Sequence, residues 1–189
     1  MENKEKINVA AISGSLRSGS FNRKVLQIAK TIASDSGASV DEIDLRSLDL
    51  PVFNADLREV VFPPSVITLK KEIESADVLL IATPEYNHSI PGPLKNAIDW
   101  ASDKTNPFSG KTAAIFGASI GLFGTLRAQL HLRQVLAALN VEMVPQPQVF
   151  VRSASDAFLQ DGSLKDPQIF KQLKILIEET FKLVRLKRN

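Results

Sequence analysis

Short apolar runs recur along this chain, separated by longer stretches whose apolar positions fall three and four apart. Ile7–Ser13, Ser39–Asp44, Val78–Thr83 and Thr112–Ala118 read as strands. Val141–Val144 with Gln148–Val151 reads as a fifth strand region, interrupted by Pro145 and Pro147. Val78–Thr83 is apolar up to its last residue, the pattern of a strand buried on both faces. From Asn22 to about Ser36 a helical spacing puts Val25, Leu26, Ile28, Ala29 and Ile32 on one side, and Gly37 ends it. Ser65–Ser75, Leu94–Ser102 and Leu126–Leu139 carry the same spacing, as does a last helix from Pro167 to about Leu186. Leu48 to Pro63 holds no clean period and reads as an irregular excursion.

Strands alternating with helices predict an α/β fold: a doubly wound parallel sheet, helices on both faces, right-handed crossovers. Five strands fit the flavodoxin-like order 2-1-3-4-5. The chain, 1–189, reads as a single domain with no repeat and no linker. In such sheets ligands bind beyond the carboxyl ends of the strands, where the strand order reverses. Here that point lies between the first and third strands.

The loop leaving the first strand is Gly14-Ser15-Leu16-Arg17-Ser18-Gly19-Ser20, and it runs into a helix start. Free N–H groups and the helix dipole make such a place favourable for an anion. Ser15, Ser18 and Ser20 offer hydroxyls, Asn22 an amide and Arg17 a charged fork, a set suited to a phosphate monoester. A P-loop is excluded because Ser20 and Phe21 follow Gly19 where Lys-Ser/Thr is required. The dinucleotide fingerprint fails at its second glycine, which is Leu16. The alternative is an ordinary polar turn with Ser20 as N-cap.

After the third strand, Pro84-Glu85-Tyr86-Asn87 opens a loop stiffened by Pro84, Pro91 and Pro93. Tyr86 supplies an aromatic face and Asn87 a donor and acceptor, as a flat polar heterocycle requires; a plain surface turn is the alternative. After the fourth strand, Gly117, Gly121 and Gly124 permit close backbone approach, with Ser119 among them. Each loop alone is a weak signal. Their coincidence at the same ends of strands one, three and four is the informative observation.

Composition narrows the chemistry. No cysteine is present, which removes disulfides, thiolate catalysis and thiolate metal sites. His88 and His131 lie too far apart to suggest metal spacing. No apolar run is long enough for a membrane span, and Met1–Lys6 fits no signal or transit segment, so a cytoplasmic location is expected. Net charge is +2, with cations gathered at Lys182, Arg185, Lys187 and Arg188. Without interleaved aromatics these read as a solvated helix end, not a nucleic-acid tail.

The segments Gly14–Asn22, Pro84–Asn87 with Ser89–Gly92, and Leu94–Trp100 resemble the NADPH-dependent FMN reductase family of quinone, chromate and azo reductases. Leu50–Asn54, Arg127–Gln129 and His131–Arg133 add to the likeness, which spans residues 5 to 150 or so. The resemblance implies FMN as cofactor and NADPH or NADH as electron donor. It maps the FMN phosphate to Ser15, Arg17, Ser20 and Asn22, and the ring system to Pro84, Glu85, Tyr86 and Asn87. Ser119 and Gly121 approach the flavin from the other side. It implies ping-pong transfer of two electrons to quinones, flavins, azo compounds or chromate, with no acid–base side chain assigned. It also implies a homodimer or homotetramer, with the segment Asn54–Phe62 near a partner's flavin. The chain departs from the family pattern at His88, where glycine is usual, and at Leu122 in the third loop. The rival classes are an electron-carrier flavodoxin, which tends to be strongly acidic, and a non-enzymatic flavin sensor.

Overall fold

A computed structural model describes residues 6–60 and 62–188; Met1–Glu5, Val61 and Asn189 lie outside the described residues. Strands β1 (Asn8–Ser13), β2 (Ser39–Ile43), β3 (Val78–Ala82), β4 (Thr112–Ala118), β5 (Glu142–Met143) and β6 (Val149–Val151) form one parallel sheet. Its order is β2-β1-β3-β4-β5, with β6 also on β4. The expected order is therefore observed, and the switch point falls between β1 and β3. The fifth strand region is divided: β5 pairs with the start of β4, and β6 with its end. Pro145 and Pro147 lie between them, and proline cannot donate to a ladder.

The helices are α1 (Phe21–Asp35), α2 (Leu45–Leu48), α3 (Ala55–Val60), α4 (Pro64–Glu74), α5 (Gly92–Ser102), α6 (Leu126–Ala138) and α7 (Pro167–Arg188). One of these, α3, corrects the expected irregular excursion between Leu48 and Pro63, and α2 is an unexpected short helix just before it. The Asp44 carboxylate accepts the Arg46 N–H at 3.1 Å and starts α2, while the Asn54 side chain accepts the Asp56 N–H at 2.9 Å and starts α3. Both helices are set by local side-chain caps and are too short to show a period.

Alternate strand residues feed two cores. Val9, Ala11, Val78, Leu80, Ala114 and Phe116 face α1 and α7. Ala10, Ile12, Leu79, Ile81, Ala113 and Ile115 face α4, α5 and α6. The period of two sends every second side chain of a central strand to the opposite layer, which explains the continuous apolar run of β3.

The ladders extend past the strand ends and draw the loops together. The Gly14 N–H donates to the Ala82 carbonyl, Thr83 to Phe116 and Ser119 to Val151, at 2.9 to 3.0 Å. Gly117 is required where β4 passes Thr83: a Cβ there would collide with the Thr83 carbonyl and the Thr125 hydroxyl. Gly19, in contrast, has open space at that position. Gly117→Ala should therefore cost about 3 kcal/mol or more in urea unfolding, and Gly19→Ala less than about 1 kcal/mol.

Candidate functional site

Three loops meet at the carboxyl ends of the central strands: 14–20 after β1, 83–91 after β3 and 119–125 after β4. The first ends at the N-terminus of α1. Ser20 is its N-cap, and the Ser20 Oγ accepts the Arg23 N–H at 3.3 Å. The Ser15 Oγ accepts the Arg17 N–H at 3.4 Å. Each hydroxyl thus keeps its own hydrogen to donate. Phe21 and Asn22 open the helix, where backbone N–H groups have no intrahelical acceptor. The Arg17 side chain is exposed, and among the described residues no carboxylate pairs with it. The donor set of hydroxyls, helix-start amides and one unpaired guanidinium fits a phosphate monoester.

Asn22 also has a structural part that its position did not announce. Its side chain is buried, donates to the Ala118 carbonyl at 2.9 Å and accepts the Ala118 N–H at 2.8 Å. The carboxamide grips the end of β4 with one N–H and its oxygen, and the Asn22 backbone N–H stands in the first turn of α1. The exchange bolts the start of α1 to the start of the third loop.

Glu85 likewise turns away from the cleft. Its carboxylate accepts the Arg127 Nε–H at 2.8 Å and the backbone N–H groups of Arg127 and Ala128 at 3.0 and 3.2 Å. It thereby caps α6, whose own N-cap residue, Thr125, is left-handed (φ 77°) and makes no side-chain cap. The guanidinium of Arg127 also lies 4.5 Å from the ring centre of Phe123. Arg127 therefore joins the second loop to the third, a link no sequence spacing announced, although Arg127 stands in a segment shared with the resembled family.

The second loop is a tight hairpin. Tyr86 and Ser89 exchange two backbone hydrogen bonds at 3.0 Å, and Asn87 and His88 between them have φ of 48° and 65°. Two consecutive positive φ values define a turn that prefers Asn-Gly, which gives the departure at His88 a physical cost. The Ser89 Oγ lies 3.0 Å from the His131 Nδ1 on α6. Pro84 is buried against Gly14, where a Cβ would crowd Pro84, Pro91 and Leu94. Gly14 thus serves the contact between the first two loops. In the third loop the Ser119 Oγ accepts the Gly121 N–H at 3.1 Å, and Gly121 has room around it. Tyr86, Ile120, Leu122 and Phe123 form an exposed apolar rim.

Burial pushes the Glu85 carboxyl up, but the hydrogen bonds and charge of Arg127, with the Ala128 N–H, outweigh it and hold the group below its ordinary value. A carboxyl depressed in the folded state contributes stability above its unfolded value of about 4.3 and loses it as pH falls toward the folded value. Glu85→Gln should cost about 1–2 kcal/mol at pH 7 by urea titration, and the gap from the natural protein should close toward pH 3.5. His88→Gly, which relieves a left-handed side-chain residue, should raise stability by about 1 kcal/mol, read as a higher melting temperature.

Comparison with known proteins agrees with this geometry. The family model described as NADPH-dependent FMN reductase matches residues 7–156. The chain is 50% identical over 163 residues to an NAD(P)H-dependent FMN reductase of Pseudomonas aeruginosa, covering 86% of each chain. It is 43% identical over 147 residues to a quinone reductase of Escherichia coli K12, covering 76% of this chain and 77% of that one. A flavoenzyme NAD(P)H:acceptor oxidoreductase structure from Paracoccus denitrificans superposes with a TM-score of 0.83 at 35% identity, over 95% of this chain and 97% of that one. With the loops, their spacing and the strand order all in agreement, this chain belongs to the NADPH-dependent FMN reductase family.

Proposed function

We propose that this protein is an FMN-dependent NAD(P)H oxidoreductase delivering two electrons to quinones, flavins or similar acceptors. The observation that carries the reading is the start of α1, where Ser15, Ser20, two helix-start N–H groups and the unpaired Arg17 converge beside the two loops of the switch point. When bound, FMN supplies the two-electron chemistry between NAD(P)H and the acceptor.

The chain's own residues hold and orient. The first loop and α1 take the phosphate, with Arg17 adding charge to a site where the helix dipole already favours an anion. Pro84, Tyr86 and Asn87, with the backbone of Glu85, form the wall along the ring system, and the stiff hairpin at Asn87 and His88 fixes its outline. Glu85 acts through Arg127 and α6, setting the distance between the second and third loops. Ser119 and Gly121 close the opposite side, where the backbone is free of side-chain crowding. No side chain is assigned to move a proton; one site used in turn by donor and acceptor implies ping-pong kinetics.

The exposed Val52, Leu57, Leu122 and Phe123 support a homodimer or homotetramer, since such apolar side chains favour a covered face. Among the described residues no helix is long and apolar enough to cross a membrane. That and the lack of cysteine favour a cytoplasmic setting.

The test is anaerobic addition of NADPH to the FMN-loaded protein. Prompt bleaching of the flavin bands and their return with benzoquinone are expected; retained flavin that NADPH leaves unreduced would indicate a carrier. Arg17→Ala should weaken FMN binding about tenfold to a hundredfold, the worth of one charge-assisted contact, by titration of flavin fluorescence.

A further inference from the structure

Helix α1 opens against the usual preference of a helix start. The first turn favours acidic side chains, because its free N–H groups carry partial positive charge. In α1 that turn holds no acidic residue, and Arg23 and Lys24 close it instead. Arg23 is neutralised: its guanidinium lies 2.8 Å from the Asp44 carboxylate and 4.0 Å from that of Glu42. Lys24 is not. Among the described residues it pairs with no carboxylate, and its three N–H donors meet no acceptor.

Two aromatic rings fix where that charge lies. The Lys24 N–H donates to the Ser20 carbonyl at 3.2 Å, so Lys24 stands one turn above the N-cap on the same side of the helix. Helical side chains lean toward the N-terminus, and the ammonium lies over the ring of Phe21, 5.8 Å from its centre. Phe21 is the first residue of α1, next to Ser20. The Phe158 ring stacks on that of Phe21, 5.9 Å between centres, and meets the same ammonium at 5.4 Å. Phe158 opens a small hairpin: it bridges to Leu164, and the Leu159 N–H donates to the Ser163 carbonyl at 2.8 Å. Phe158 and Leu164 pack on the core shared by α1 and α7, and both lie beyond the residues that match the family model. The rings hold the ammonium in place without neutralising it.

The neighbouring site has donors to match. Ser15 and Ser20 are only 3% and 4% exposed. Each hydroxyl accepts a backbone N–H, and among the described residues its own hydrogen finds no acceptor. Two buried O–H groups, the first-turn N–H groups and the Arg17 guanidinium therefore call for acceptor oxygens. Without an anion, Lys24 opposes the helix dipole; with a phosphate dianion beside both, that repulsion gives way to attraction.

We propose that Lys24 is a second cation for the FMN phosphate, held toward it by Phe21 and Phe158, and that it biases the site toward a dianionic phosphate ester over a neutral flavin. The proposal rests on the reading of the first loop and α1 as the FMN phosphate site. Lys24 acts as a charge alone, and no bond is made or broken.

The experiment uses the full chain, its Lys24→Met variant, which keeps the apolar stem along the rings, and its Lys24→Arg variant, which keeps the charge. Flavin fluorescence titration measures Kd for FMN and for riboflavin, the same ring system without phosphate, at about 10 mM and about 0.5 M salt. At low salt Lys24→Met should weaken FMN about threefold to tenfold and leave riboflavin unchanged, and the loss should shrink at high salt. Lys24→Arg should keep most of the FMN affinity. An FMN affinity that Lys24→Met leaves unchanged would overturn the proposal and leave Arg17 and the first loop as the phosphate site. Equal weakening of FMN and riboflavin would make Lys24 a packing residue and overturn it as well. A natural protein that binds FMN no more tightly than riboflavin, or binds neither, would sink the phosphate-site reading itself, and the role of Lys24 with it.

Discussion

Two hydrogen bonds exchanged by the buried side chain of Asn22 and the backbone of Ala118 govern the arrangement of the ligand-binding end. They join groups 96 residues apart, the first turn of α1 and the last residue of β4. Such a pair is strong because neither partner can retreat to water: breaking it leaves a buried carboxamide and a buried peptide group unsatisfied. The start of α1, its free N–H groups and the loop that precedes it are thereby held in register with the loop that follows β4. An anion site built from a helix terminus needs that rigidity, since the dipole effect falls off within one turn.

A second tie works by charge. Glu85 and Arg127 pair at 2.8 Å with the carboxylate side chain almost out of solvent, and the same carboxylate caps α6. An exposed ion pair is worth little, but this one also satisfies two helix-start N–H groups, so its removal exposes a deficit that water does not fill easily. The left-handed Thr125 leaves α6 without a cap of its own, and the second loop supplies one. Stability and site geometry are therefore the same interaction: loops two and three cannot separate without uncapping a helix.

On the β2 side a different device appears. Asn96 and Trp100, both on α5, converge on the backbone of Pro51 and hold down a segment with little regular structure. Lys70 adds a cation over the Phe62 ring, itself 6.0 Å from Trp100. Side chains from a helix thus give an irregular stretch a fixed outline. The polar atoms of Asn96 and the indole N–H find their acceptors in backbone, as buried polar groups must.

The chain's own pattern was enough for the class of fold, the strand order and the switch point between β1 and β3. Hydrophobic periodicity is local, and the switch point follows from strand order alone. The serine–arginine loop and Pro84–Asn87 were legible because their residue types are unusual at a strand end. The short helices α2 and α3 were not, because caps at Asp44 and Asn54 create them without a period. Nor could the structural roles of Asn22 and Glu85 be read from position: each stands among candidate ligands, and its side chain binds Ala118 or Arg127. Their partners come from strands and helices distant in sequence, and only the folded sheet brings them within hydrogen-bond range. The surface pocket lined by Leu16, Val52 and Pro93 is likewise a tertiary product, since these residues become neighbours only when β1, the excursion and α5 are packed.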